Sequence, residues 1–158
     1  MTDTDTPVLD ALDLRILDQL QRDASLSNLA LAARVHASPP TCLRRVRRLI
    51  EAGIIERQVA IVRPGALGHG LTVIAEIALD QQGDEAQRAF ESRAVASDAV
   101  LQCYQVSAGP DFVLIIQVAD MPAYHALSGQ LFGAGSNVRN VRAFFSIHRA
   151  KFETRIAR

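Results

Sequence analysis

Between Ser27 and Gly53 the chain reads SNLALAARVHASPPTCLRRVRRLIEAG, two short helical patterns broken by a tight turn, the second carrying four arginines. Ser27 is placed to accept hydrogen bonds from the orphan amides at the start of a helix over Asn28 to Val35, on which Leu31 and Val35 share a face. After His36 and Ala37, Ser38 is again a good N-cap. Pro39 follows at the first helical position, where its missing N–H and fixed φ cost nothing. Along this second helix Leu43, Val46 and Ile50 recur at i, i+3 and i+7 with Cys42 and Leu49 beside them, which predicts a buried stripe. Thr41, Arg44, Arg45, Arg47, Arg48 and Glu51 are then expected to face outward. Upstream, Asp10 is placed to cap a helix whose Leu9, Leu12, Ile16, Leu17 and Leu20 supply the third wall of a small core.

Charge is divided along the chain although its formal net value is zero. Residues 1 to 23 carry Asp3, Asp5, Asp10, Asp13, Asp18 and Asp23 against two arginines, a balance of minus four. Residues 34 to 57 carry six arginines against Glu51 and Glu56, a balance of plus four. Positive potential is thus concentrated on one helix. A basic helix behind a capped turn, backed by a third helix, is the layout that sets a recognition helix into the major groove of double-stranded DNA. Pro40, Thr41 and Arg44, at its N-terminal end, are the candidates for reading bases, and Arg45, Arg47 and Arg48 for holding phosphates, with the cap residue Ser38 also counted among the DNA-binding candidates. For one of these, foremost Arg45, an intramolecular ion pair with Glu51 or with an acid of the first helix stands as the alternative.

Length and composition fit a folded chain of one large or two small domains: 158 residues, 49% of them hydrophobic. No stretch approaches the roughly 20 apolar residues of a membrane span, and the acidic start MTDTDTPVLD is unlike a signal peptide, so a cytoplasmic, nucleoid-associated protein is expected. Cys42 and Cys103 are far apart with no metal-ligand spacing around them, which leaves two reduced core residues; no metal and no cofactor is implied.

The stretch IIERQVAIV (Ile54 to Val62) has strand character and is expected to leave the helical unit as a wing-like or linking strand. RPGALGHG (Arg63 to Gly70) reads as a linker, after which the period changes from 3.6 to 2. Leu71, Val73, Ala75, Ile77 and Leu79 alternate with polar and small residues as in a half-buried strand. Asp84 with Gln87 forms a capping box for a helix through Ala96, with Ala86, Ala89 and Phe90 inward. Two strand patterns, Val100 to Ser107 and Phe112 to Ala119, joined by Ala108-Gly109-Pro110-Asp111, read as antiparallel neighbours. Asp120 and Pro122 start a helix with Tyr124, Leu127 and Leu131 inward. GAGSN ends it before a last strand from Val138 to about Lys151. The fold class is α+β: a helix-turn-helix unit of the winged type over 1–62, a linker over 63–70, and a ferredoxin-like βαββαβ domain over 71–158.

With these elements in place, the chain resembles the leucine- and asparagine-responsive (Lrp/AsnC, or feast/famine) regulators. The resemblance rests on LDALDLRILDQLQRDASLSN, on ASPPTCLRRVRRLIEAGIIERQVAIVRPGALG, and on QCYQVSAGPDFVLIIQV, whose Asp111, Phe112 and Leu114 fit the family's hairpin pattern. It implies a transcriptional regulator that binds double-stranded DNA and responds to a small effector, an amino acid. It also implies a homodimer assembling through the sheets to an octamer, with the effector held near the hairpin loop where dimers meet. Tyr104, Ser107, Ala108, Gly109, Pro110, Asp111 and Asn140 are the effector-binding candidates. The chain departs from the pattern at Ala108, where glycine is common, and at Val141 and Ala143, where threonines are frequent. The first would narrow the loop and the second argues for a more apolar ligand. Two alternatives stay open: a sirohaem decarboxylase-like tetrapyrrole enzyme using His148, Arg142 and Arg149, with His69 in the linker, and a ligand-independent architectural protein that wraps DNA.

Overall fold

A computed structural model describes residues 8–157 and divides them into two compact units, one of residues up to Ile61 together with Lys151 onward, the other Val62–Ala150. Asp3 and Asp5 of the acidic N-terminal run lie outside the described residues.

The first unit holds α1 (Ala11–Arg22), α2 (Asn28–Arg34) and α3 (Pro39–Glu51). Each begins where its cap dictates. Asp10 accepts from the Leu12 and Asp13 amides, Ser27 from Ala30 and Ser38 from Thr41. Ile16, Leu31, Ala32, Val35, Cys42 and Leu49 form the core, and Leu9, Leu12, Leu17 and Leu20 pack against it. The turn between α2 and α3 is a Schellman motif: the Ala37 amide donates to the Ala32 carbonyl (3.0 Å) and the His36 amide to Ala33 (3.3 Å). His36 takes the left-handed conformation (φ 54°) that such a position ordinarily gives to glycine.

Two expectations are corrected here. The buried stripe of α3 runs through Cys42 and Leu49, not Leu43 and Ile50, which are 41% and 48% exposed. Residues 42, 46 and 49 face α1 and α2, which turns Leu43 and Ile50 to the flank of the opposite face. Ile54 to Val62 forms no strand: among the described residues it pairs in no ladder, and Val59, Ile61 and Val62 remain exposed. Alternating apolar residues signal a strand only where a second strand is at hand. The final residues group with this unit, the Ile156 amide donating to Gln21 Oε1 (2.8 Å) and Arg155 pairing with Asp18 (3.3 Å).

In the second unit, a short 3-10 turn (Pro64–Leu67) occupies the linker before β1 (Leu71–Leu79), α4 (Asp84–Val95), β2 (Val100–Gln105), β3 (Phe112–Val118), α5 (Met121–Phe132) and β4 (Val138–Phe145). The sheet is antiparallel throughout, in the order β2-β3-β1-β4. This is the βαββαβ ferredoxin-like arrangement. One sheet face is the core: Val73, Ala75, Ile77, Leu79, Phe112, Leu114 and Ile116 are buried with Phe90 and Ala94 of α4 and Tyr124 of α5. Two boundaries and one helix face differ from the sequence reading. Gly83, not Asp84, is the N-cap of α4, so Asp84 and Glu85 stand in the first turn, where the helix dipole favours them. Ala89 is exposed, while Ala94 takes the inward place beside Phe90. β4 stops at Phe145 because β1 starts at Leu71. Past the Ser146 amide, which donates to the Thr72 carbonyl (2.9 Å), the chain has no ladder partner.

Candidate functional site

On α3 the face opposite Cys42 and Leu49 presents Pro40, Arg44 and Arg47, all exposed, flanked by Leu43. Arg44 and Arg47 make no ion pair among the described residues, so their guanidinium groups are available to an anion. At the N-terminus the Ser38 hydroxyl donates to Thr41 Oγ1 (2.8 Å) while its oxygen accepts the Thr41 amide (3.4 Å). Ser38 is thereby committed to the cap, and the Thr41 hydroxyl keeps its own proton to donate outward. Asn28 of α2 donates to the Pro39 carbonyl (2.9 Å) and locks the two helices at the turn. Leu43, read from the sequence as core, is a member of the exposed surface. The signal that could have placed it is the phase of Cys42, Val46 and Leu49, an equally good apolar stripe.

Arg45 and Arg48 are placed differently. The Arg45 Nη1 donates to Asp10 Oδ2 at 2.6 Å and to both oxygens of Asp13 at 3.2 Å, and Arg48 Nη2 donates to Asp13 Oδ2. This is the ion pair with an acid of the first helix that stood as the alternative for Arg45, extended to a second arginine. Asp13 is fully buried and also accepts the Asp10 amide (3.1 Å), closing a reciprocal capping box at the start of α1. The Asp13 amide, followed by the Arg45 guanidinium and the Leu12 amide, holds the Asp10 carboxyl down to about 2 from 3.8. Burial raises the Cys42 thiol, a packing residue of α3 with no nucleophilic character.

In the second unit the Ser107–Asp111 candidates form the turn from β2 to β3. Ala108 (φ 63°) and Gly109 (φ 123°) both take positive φ, so Ala108 holds the conformation that glycine favours in spite of its Cβ. Asp111 is tied into the fold: its Oδ2 accepts the Leu79 amide (2.7 Å) and Gln82 Nε2 (3.4 Å), and its own amide donates to the Ile77 carbonyl (2.8 Å). Tyr104 is exposed on the sheet face away from the helices, its hydroxyl donating to Gln102 (3.1 Å). Asn140 lies on β4, paired with Ala78 of β1, so β1 and β3 stand between it and β2. At the same end of the sheet, Asp80, Gln81 and Gly133–Val138 line an open cleft of about 580 Å³. Val141 and Ala143 pack against the core, so the apolar residues at the family's threonine positions serve the interior.

Comparison with known proteins matches residues 9–56 to the winged helix-turn-helix DNA-binding family and residues 72–156 to the Lrp/AsnC ligand binding domain. The leucine-responsive regulatory protein of Rhizobium meliloti is 36% identical over 143 residues, covering 90% of this chain and 92% of the relative. That of Escherichia coli K12 is 33% identical over 148 residues, covering 94% and 90%. An AsnC family transcriptional regulator from Agrobacterium tumefaciens superposes with a TM-score of 0.88 at 30% identity, covering 94% of this chain and 97% of that one. A transcriptional regulator from Neisseria meningitidis, solved as a complex with L-Met, gives 0.88 at 27% identity, covering 95% and 97%. On the capped basic helix, the antiparallel βαββαβ sheet and these likenesses across nearly the whole chain, the protein belongs to the Lrp/AsnC family of DNA-binding transcriptional regulators.

Proposed function

We propose that the protein binds DNA as a dimer that sets two copies of α3 into successive major grooves of a partly palindromic site. The observation that carries this is the exposed face of α3, where Arg44 and Arg47 stand without carboxylate partners among the described residues, beside Pro40, Thr41 and Leu43. Pro40, Thr41 and Arg44, on the first turns, read bases; Leu43 offers an apolar contact for a thymine methyl; Arg47 holds phosphate. Arg45 and Arg48, first assigned to phosphates, are given instead to α1. Ser38 contributes through the cap that orients Thr41.

The second unit senses an amino acid, a reading supported by the ligand-binding family it matches and by the L-Met carried by the Neisseria regulator. The turn Ser107–Asp111 and the exposed Tyr104 form one side of the site. Asn140, on β4 across β1, joins it only if a second chain closes the gap. Ile74, Tyr104 and Phe144 are exposed on the sheet face away from the helices, which supports a partner sheet there and a homodimer built on it, with octamers as the higher assembly. Two experiments test this reading. A panel of amino acids is screened by thermal unfolding, where an effector at a hundred times its Kd adds about 2.7 kcal/mol of stability. Sedimentation with and without the hit follows the assembly. A stabilising amino acid that also shifts the assembly is expected; no hit at all returns the protein to the ligand-independent, DNA-wrapping alternative.

A further inference from the structure

We infer that Asp13 is a positioning residue for DNA reading: by holding Arg45 and Arg48 against α1, it keeps two of the four α3 arginines off the phosphates and so protects discrimination between sequences. The inference rests on the assignment of α3 as the recognition helix. Asp13 is fully buried and accepts four hydrogen bonds from three donors: Arg45 Nη1, on both its oxygens, Arg48 Nη2 and the Asp10 amide, with Asp10 itself closing on Arg45 from the solvent side. Arg45 and Arg48 are drawn in far enough that the Nε of each is buried.

Two consequences follow from the chemistry. A phosphate that captured Arg45 would strip a partner from a carboxylate with no access to water, which costs more than an exposed phosphate contact returns. The arginines therefore stay on Asp13 when DNA arrives. Arg45 and Arg48 are also one turn apart on α3, so a single carboxylate gripping both fixes the rotation of α3 about its axis. That rotation decides that Pro40, Arg44 and Arg47 face outward. Phosphate contacts strengthen binding to every sequence alike, and two more per protomer would raise background binding without adding readout.

The test uses the full-length chain and measures anisotropy on the duplex upstream of its own gene and on a scrambled duplex, across a salt series. Asp13→Asn keeps the shape and an acceptor for the Asp10 amide but removes the charge. Its salt slope is expected to steepen by about 0.9 for each arginine released in each protomer, with tighter binding to scrambled DNA and a smaller preference for the upstream site. Adding Arg45→Gln and Arg48→Gln to that variant is expected to return the slope to the wild-type value, which a merely structural role for Asp13 would not do. Asp10→Asn, at an exposed position that holds Arg45 but not Arg48 and where asparagine can still cap α1, gives a smaller steepening and carries the test alone if Asp13→Asn does not fold. An unchanged slope in the variants that fold overturns the inference. If Arg47→Ala also leaves the slope unchanged, the reading of α3 fails as well, and the two failures are told apart.

Discussion

Replacing Arg47 by alanine and replacing Arg45 by alanine should separate two roles that a glance at RRVRR would merge. Arg47 is exposed and has no carboxylate partner among the described residues, so its loss should remove one phosphate contact from each protomer and two from the proposed dimer. At about 0.9 in slope per phosphate, the dependence of log K on log salt should fall by about 1.8. Over a fourfold rise in salt, from about 50 to 200 mM, the wild type should therefore lose about twelvefold more affinity than the variant. Arg45 is only 20% exposed and pairs with Asp10 and Asp13, so Arg45→Ala should leave the slope unchanged. Its effect falls on the fold instead. Arg48 still pairs with the buried Asp13, so the loss should be about 1 to 3 kcal/mol rather than the full cost of stranding a charge, seen as a Tm lower by several degrees. Fluorescence anisotropy on one duplex across a salt series, with thermal unfolding of the same samples, reads both. A slope that falls as far in Arg45→Ala as in Arg47→Ala would refute the division of labour.

Other outcomes follow from single contacts. His36→Gly should stabilise the first unit by about 1 kcal/mol, since it relieves the left-handed conformation at the end of α2; a lower Tm contradicts this. Asp111→Ala leaves the amide of the fully buried Leu79 without its acceptor and should cost about 1–3 kcal/mol in thermal unfolding, whatever it does to effector binding. Asp10, with a folded pKa of about 2 against 3.8 unfolded, contributes stability that is present above pH 3.8 and lost as pH falls from there toward 2. Asp10→Asn should therefore unfold with a Tm less sensitive to pH across that window than the wild type, and parallel profiles would show that the cap carries no such linkage.

The helices were legible because their ends are chemical: Asp10, Ser27 and Ser38 each stand one residue before the first helical amide and each accepts a hydrogen bond there. The alternation of Val73, Ala75, Ile77 and Leu79 fixed which face of β1 is buried, and the short turn at Ala108 to Asp111 fixed the antiparallel pairing of β2 with β3. The phase of α3 was harder to read. Leu43-Val46-Ile50 and Cys42-Val46-Leu49 are both apolar stripes at helical spacing, and only the positions of α1 and α2 choose between them. The role of Asp13 was hidden for a related reason, because its partners lie 32 and 35 residues away on a helix whose rotation was not yet known. The opposite charges of residues 1–23 and 34–57 were visible, but charge totals do not say which pairs meet. Ile54 to Val62 and the chain beyond Phe145 look like strands in composition, and neither has a strand to pair with among the described residues.

The most direct test of the whole account is anisotropy of the purified protein on the duplex upstream of its own gene against a scrambled duplex, across salt and with L-Met or pooled amino acids added. The account predicts tighter binding to the upstream duplex, a steep salt dependence, and a shift of affinity with one amino-acid pool. Equal binding to both duplexes, unaffected by any amino acid, would contradict it.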